Sequence, residues 1–86
     1  MHTVEILEEI LRLAGQAGYQ VRHEWLGGSG GGVCELLGRK CLFVDLALHP
    51  AEQLDRVLHG LRGDPAMLSL SLSDDVRRLL DIKKCA

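Results

Sequence analysis

A run of five glycines and one serine fills positions 27–32, and these residue types could hold an anion. Phosphate-binding loops use such glycines because their backbone N–H groups converge at the start of a helix. The dinucleotide motif needs glycines at its first, third and sixth positions, but a start at Gly28 places Val33 sixth and a start at Gly30 places Glu35 sixth. No Gly-Lys-Ser/Thr triplet follows, and the next residues are typical of a strand. We therefore interpret 27–32 as a flexible connection between strands; the alternative is a binding loop that orders on contact with its ligand.

Three other residues are candidate metal ligands: Cys34, Asp45 and His59. Asp45 closes a nearly apolar segment, where a carboxylate serves as a ligand or acid/base group, or else accepts hydrogen bonds at the turn into the next helix. We favour the acceptor role because no second acid or base is evident nearby. The four histidines are scattered without an i, i+4 pair, so an ordinary surface histidine is the simpler interpretation of His59. We assign no catalytic residue, cofactor or metal.

The chain has three cysteines, an odd number without a CxxC pair, which is typical of reduced thiols in the cytosol. A two-residue turn at positions 38–39 would place Cys34 opposite Phe43 and diagonal to Cys41, at roughly 7–8 Å. That separation is too long for an easy disulfide, so both are expected to act as small buried apolar residues. Cys85 lies in a tail that we expect to be frayed and exposed.

Apolar periodicity predicts the helices that position these residues. Spacings of three and four indicate an amphipathic helix over residues 4–17, capped by Thr3. Pro50 is expected to open a second helix, because its missing N–H does no harm in the first turn. Ser73 is expected to cap a last helix.

Alternation of apolar and polar residues predicts a strand over residues 19–26. Residues 33–37 and 40–46 are expected to form a hairpin, and its second strand is apolar enough to be central. Alternating leucines and serines from Leu68 to Ser73 indicate a possible short edge strand.

The 86 residues are thus predicted to form a single α+β domain, over 1–86, in the order α-β-β-β-α(-β)-α. We expect a three- to four-stranded antiparallel meander covered on one face by helices. An apolar uncovered face marks an association surface, so the leading hypothesis is a non-enzymatic protein-interaction or homodimerisation domain. A degenerate enzyme or metal-binding scaffold is the alternative. The interface candidates on the uncovered face are Val33, Leu37, Leu42, Val44 and Leu46.

Composition limits the classes of partner. Hydrophobic residues make up 47% of the chain, which is typical of a folded protein rather than a disordered one. The net charge of -2 disfavours nucleic acid, because polyanion-binding domains are usually basic. The longest apolar runs are far shorter than the roughly 20 residues that span a bilayer, and the acidic N-terminal segment is unlike a signal peptide. We expect a cytoplasmic protein that binds itself or another protein.

The order α-β-β-β-α through residue 62 is similar to that of the double-stranded-RNA-binding domain. That family grips phosphates with a basic cluster at the start of its second helix, where this chain reads H-P-A-E-Q-L-D-R. The resemblance covers element order, and it implies an RNA-binding module as a further alternative.

The segment G-R-K-C-L-F-V-D-L, followed by P-A-E-Q-L-D-R-V-L-H-G-L-R-G, resembles the strand–helix core of zincin-like peptidases of the ImmA/IrrE type. Their helix carries His-Glu-x-x-His, which binds zinc through both histidines and uses the glutamate as a base. His59 matches the first histidine, whereas Gly60 and Gly63 replace the glutamate and the second histidine. This resemblance implies a scaffold without peptidase chemistry. Residues 31–38 also resemble a G-G-x-C-x-L-x-G pattern of short bacterial proteins, which implies no function.

Overall fold

The computed structural model describes residues 2–81 of the chain. The helices are α1 (Thr3–Gln16), α2 (Pro50–Leu61), α3 (Pro65–Leu68) and α4 (Asp74–Asp81), and the strands are β1 (Gln20–Glu24), β2 (Gly32–Leu36) and β3 (Arg39–Asp45). Within that range no helix combines the length and the apolar character that crossing a bilayer requires. Cys85 lies outside the described residues.

Local signals set the starts of the helices. Pro50 is the first residue of α2, and the Ser73 hydroxyl accepts a hydrogen bond from the Val76 N–H at 3.3 Å, so both predicted starts are confirmed. Helix α1 begins one residue earlier than predicted, because Thr3 is already helical and His2 occupies the cap position.

The sheet is mixed and has the strand order β1-β3-β2, with β1 parallel and β2 antiparallel to β3. The α+β class is confirmed, but the antiparallel meander is wrong because β1 pairs with β3 rather than with β2. Strand β3 is central, as its apolar sequence predicted, and it buries Cys41, Leu42 and Val44. Strand β3 therefore has a neighbouring strand on each side, and this central position suits the most apolar of the three strands.

This topology requires a crossing over one end of the sheet. Strand β1 ends at Glu24 beside Asp45, the last residue of β3, and β2 begins on the far side of β3 at Gly32. Residues 25–31 must therefore span two inter-strand spacings, roughly 10 Å, above the end of β3. The glycine-rich segment makes this crossing.

The expected fourth strand is absent from the described residues. Leu68, the first residue of the predicted strand, is instead the last residue of α3. This helix begins at Pro65 and is capped by Asp64, which accepts the Ala66 N–H at 2.9 Å. The residues after α3 are neither helix nor strand, yet Leu70 and Leu72 pack half-buried against the core. The alternation of leucine and serine thus reflects burial without strand pairing.

Helices α1 and α2 pack on the sheet face that carries Val21, Leu42 and Val44. Leu42 and Val44 are fully buried there, so their assignment to an uncovered interface is wrong. The apolar run of β3 gave no indication of which face the helices would cover. By alternation the opposite face carries Cys34, Leu36, Cys41 and Phe43, with Gln20, Arg22 and Glu24 on β1. Among residues 2–81, α1 and α2 are the helices that make extensive contact with the sheet, so we call the opposite face the helix-free face.

Two helical glycines are expected to respond oppositely to alanine. A Cβ at Gly15 of α1 meets nothing within 4 Å, whereas a Cβ at Gly60 of α2 lies 2.8 Å from Cγ2 of Val33. Gly15→Ala should raise the free energy of unfolding by about 0.5–1 kcal/mol through helix propensity. Gly60→Ala should lower it by about 1–2 kcal/mol, because α2 must move away from β2. Urea denaturation followed by circular dichroism measures both, and a stabilising Gly60→Ala would contradict the close packing.

Candidate functional site

The carboxylate of Asp45 lies beneath the glycine-rich crossing and is 1% exposed. Its Oδ1 accepts hydrogen bonds from the N–H groups of Leu26 at 3.0 Å and Ala47 at 2.9 Å. Its Oδ2 accepts from Gly28 at 2.9 Å and Gly30 at 3.0 Å. Four amides from both sides of the strand end thus converge on one buried carboxylate.

This arrangement keeps Asp45 ionised. Burial acts to raise the pKa of Asp45, but the four backbone hydrogen bonds together outweigh it and hold the pKa below its ordinary value. A carboxylate that is buried, stabilised as an anion and surrounded by amide donors is a weak base and offers little to a metal ion. The geometry fits the hydrogen-bond acceptor role that the sequence favoured.

The convergent amides also bear on the glycine loop. The N–H groups of a nest-like loop do converge, as in an anion site, but the anion they hold is the chain's own Asp45. A loop fixed by three such hydrogen bonds should move less than its glycine content suggests. Its flexibility stays a prediction.

The three candidate metal ligands are not brought together. Asp45 and Cys34 belong to the helix-free face, whereas His59 is exposed on α2, which packs on the other face. Within residues 2–81 no group of three or more histidine, cysteine or acidic side chains could hold a metal ion. Gly60, in the position of the peptidase glutamate, faces Val33 so closely that a side chain there would displace the strand.

The β2–β3 hairpin is confirmed, but its turn lies at Leu37 and Gly38, one residue before the predicted pair. Leu36 therefore pairs with Arg39, and Cys34 lies directly opposite Cys41 rather than opposite Phe43. The predicted diagonal separation of the two cysteines is therefore wrong. Both are free thiols, with Cys34 exposed and Cys41 buried.

Leu37 is the only non-glycine residue with a positive φ among those described, at 52°, and its side chain is fully exposed. With Gly38 at 78°, the turn has the two positive φ values of a type I′ hairpin. Of the other interface candidates, Val33 and Leu46 are partly exposed. Leu36, which was not among the candidates, lies on the helix-free face and is 51% exposed. The hairpin tip therefore presents two neighbouring exposed leucines.

A polar cluster that the sequence did not suggest joins three distant segments. The Tyr19 hydroxyl donates to the Asp64 carboxylate, and Nζ of Lys40 lies 3.4 Å from Oδ2 of Asp64 and 4.4 Å from the centroid of the Tyr19 ring. Burial, reinforced by Asp64, raises the pKa of Tyr19, while the hydrogen bond from Tyr19 is the main cause that lowers the pKa of Asp64. A neutral tyrosine bonded to an ionised carboxylate is a structural cross-link between α1–β1, β3 and α3.

The sequence could not have shown this cluster, since its members are 24 and 45 residues apart. A signal did exist for the Asp45 site, because a lone carboxylate at the end of an apolar strand coincides with a glycine-rich crossing. No protein-family model, curated protein or solved structure matches this chain.

Proposed function

We propose that the chain is a non-enzymatic protein-interaction domain that associates with a second copy of itself through the β2–β3 hairpin. The observation that carries this proposal is Leu37, which is fully exposed and has a positive φ at the hairpin tip. Asn, Asp or Gly would fill this turn position without strain. Leucine there is unfavourable in an isolated domain, both in backbone strain and in apolar exposure. Strained residues of this kind concentrate at functional sites.

Strand β2 offers an edge next to this leucine. It pairs with β3 on one side, and no strand of residues 2–81 lies on its other side. The closing pair of a two-residue hairpin is hydrogen-bonded, so alternation turns the backbone groups of Val33 and Glu35 outward. Edge strands are usually protected by charged side chains, proline or a bulge, and β2 carries a single charged residue, Glu35. An added antiparallel strand would satisfy these groups.

The charge of the chain permits a second copy as the partner. A net charge of -2 produces little repulsion between two copies. The hairpin also carries charges of both signs, Glu35 on β2 and Arg39 at the start of β3. Charges of both signs at the hairpin keep the local repulsion between two copies small.

Leu37→Asn is expected to stabilise the monomer and weaken the association. Asparagine relieves the left-handed strain, so the free energy of unfolding should rise by about 1 kcal/mol in urea denaturation. Loss of a buried leucine at the interface should raise the dimer dissociation constant by at least about tenfold in sedimentation equilibrium. A more stable monomer together with a weaker dimer would show that Leu37 serves the association. A more stable monomer with an unchanged dissociation constant would show that the leucine is merely tolerated.

Val4→Asn is the control, because Val4 is an exposed apolar residue of α1 rather than of the hairpin. It also removes exposed apolar surface, although less than Leu37→Asn does, and it should leave the dissociation constant unchanged. Leu36→Lys should weaken association as Leu37→Asn does, by placing a charge beside the tip. A wild-type chain that remains monomeric throughout the accessible concentration range would contradict self-association.

A further inference from the structure

We propose that Cys34 and Cys41 form a reversible dithiol–disulfide pair, in which Cys34 reacts first with a low-molecular-weight disulfide and Cys41 resolves the product. The inference rests on the strand register and is independent of the proposed self-association. No other cysteine lies within residues 2–81.

The register places the two cysteines directly opposite one another. Cys34 lies across from Cys41, two pairs from the closing pair of the hairpin, so it occupies a hydrogen-bonded position. The Cα atoms of such a pair are about 5.5 Å apart, within the roughly 4.4–6.8 Å that disulfides join. Its Cβ atoms lie near the long end of about 4.5–5.5 Å, whereas a disulfide needs about 3.5–4.5 Å, so the two strands must draw closer as the bond forms. Directly paired residues also project from the same face of the sheet. Because β2 is an edge strand, it can adjust locally as the bond forms.

The unequal exposure of the two thiols sets their roles. Cys34 is exposed, and it lines a cavity of about 270 Å³ with Phe43 of β3 and with Leu26 and Ser29 of the glycine-rich crossing. A small disulfide can therefore approach the Cys34 sulfur. Cys41 is 3% exposed and is not open to the same reagent. It is nevertheless next to Cys34 and can attack a mixed disulfide formed there.

The exchange balances without any further oxidant. The Cys34 thiolate attacks the low-molecular-weight disulfide, forms a mixed disulfide and releases one small thiolate, which takes up a proton. Cys41 then attacks the Cys34 sulfur, and its proton passes to the second small thiolate, which leaves as a thiol. Two cysteine thiols are thus oxidised to one disulfide while the small disulfide is reduced to two thiols. Excess small thiol drives the reverse reaction.

Oxidised glutathione is the probe, and the full chain carrying Cys85→Ser is the protein, so that two thiols remain. After incubation, intact mass should show the loss of two hydrogen atoms with no adduct, and thiol titration in denaturant should fall from two per chain to none. Peptide mapping should join Cys34 to Cys41. Reduction with excess reduced glutathione should restore both thiols.

Single variants in the same background test the order of reaction. Cys41→Ser should retain one glutathione on Cys34, because nothing resolves the mixed disulfide. Cys34→Ser should keep the buried Cys41 thiol unmodified in the folded protein. The proposal fails if both thiols survive incubation, if a glutathione adduct persists while Cys41 is present, or if the product is a disulfide-linked dimer. These three outcomes are measured on the Cys85→Ser protein alone, so the test remains decisive even if a Cys41 variant does not fold.

Discussion

Replacing Asp45 with alanine is expected to lower the midpoint of thermal unfolding by more than about 10 °C. The substitution leaves the N–H groups of Leu26, Gly28, Gly30 and Ala47 without their acceptor at a buried position. Unpaired donors are unfavourable at this site, where the Gly30 hydrogen bond is buried and the other three are partly buried. Differential scanning calorimetry measures the midpoint, and the loss should exceed that of any single side-chain deletion on the surface.

Acidification provides a second test of the same carboxylate. Because the folded-state pKa of Asp45 is lower than the unfolded-state value, the stability it confers is fully present above the ordinary aspartate pKa of about 3.9. That stability is lost as the pH falls through the folded-state pKa. Asp45→Asn cannot titrate at this position. As the pH falls from about 5, its free energy of unfolding should therefore decrease less than that of wild type, and the difference should correspond to one carboxyl group.

Asp55→Ala is the control for the thermal measurement, since Asp55 is exposed on α2 and makes no ion pair among the residues described. Its midpoint should match that of wild type within about 2 °C. If Asp45→Ala also unfolds near the wild-type midpoint, the four hydrogen bonds do not secure the crossing, and the glycine loop is free to act as the flexible connection that its composition predicts.

Most of the secondary structure could be predicted because its signals are local. The apolar stripe of α1, Pro50 at the start of α2 and the Ser73 cap of α4 each depend on residues within a few positions of one another. The hairpin was predictable for the same reason. Its register was not, because Gly38 can serve as the first or the second residue of a turn, and only the second choice requires a leucine with positive φ. The two-residue change in pairing is what brings Cys34 opposite Cys41.

Strand order could not be predicted from local signals. A connection over residues 25–31 is long enough either to turn back beside β1 or to cross the end of β3, and composition does not separate these paths. The central position of β3 was the useful constraint, since a meander would have made β2 central. The site was predictable only in part for a similar reason. Asp45 was identifiable as an unusual carboxylate, but its partners are backbone amides, which are common to all residues except proline and therefore cannot be recognised in the sequence.

Gly31→Ala is expected to lower the free energy of unfolding by about 3 kcal/mol, against about 1 kcal/mol for Gly27→Ala. Both glycines have similar positive φ values, 64° and 69°, so both substitutions introduce the same left-handed strain. They differ in space, because a Cβ at Gly31 would lie 2.4 Å from the backbone oxygen of Phe43, whereas one at Gly27 meets nothing within 4 Å. Relief of that contact must lift the crossing off β3 and stretch the Gly30–Asp45 hydrogen bond.

Urea denaturation of the two variants isolates the contribution of this close approach. The difference of about 2 kcal/mol is the sum of a displaced backbone contact and a weakened buried hydrogen bond, with the strain of positive φ cancelling between the pair. Combining Gly31→Ala with Asp45→Ala should then add less than the sum of the two single effects, because the first substitution has already loosened the amides that the second deprives of their acceptor. Full additivity would mean that the crossing and the carboxylate are stabilised separately.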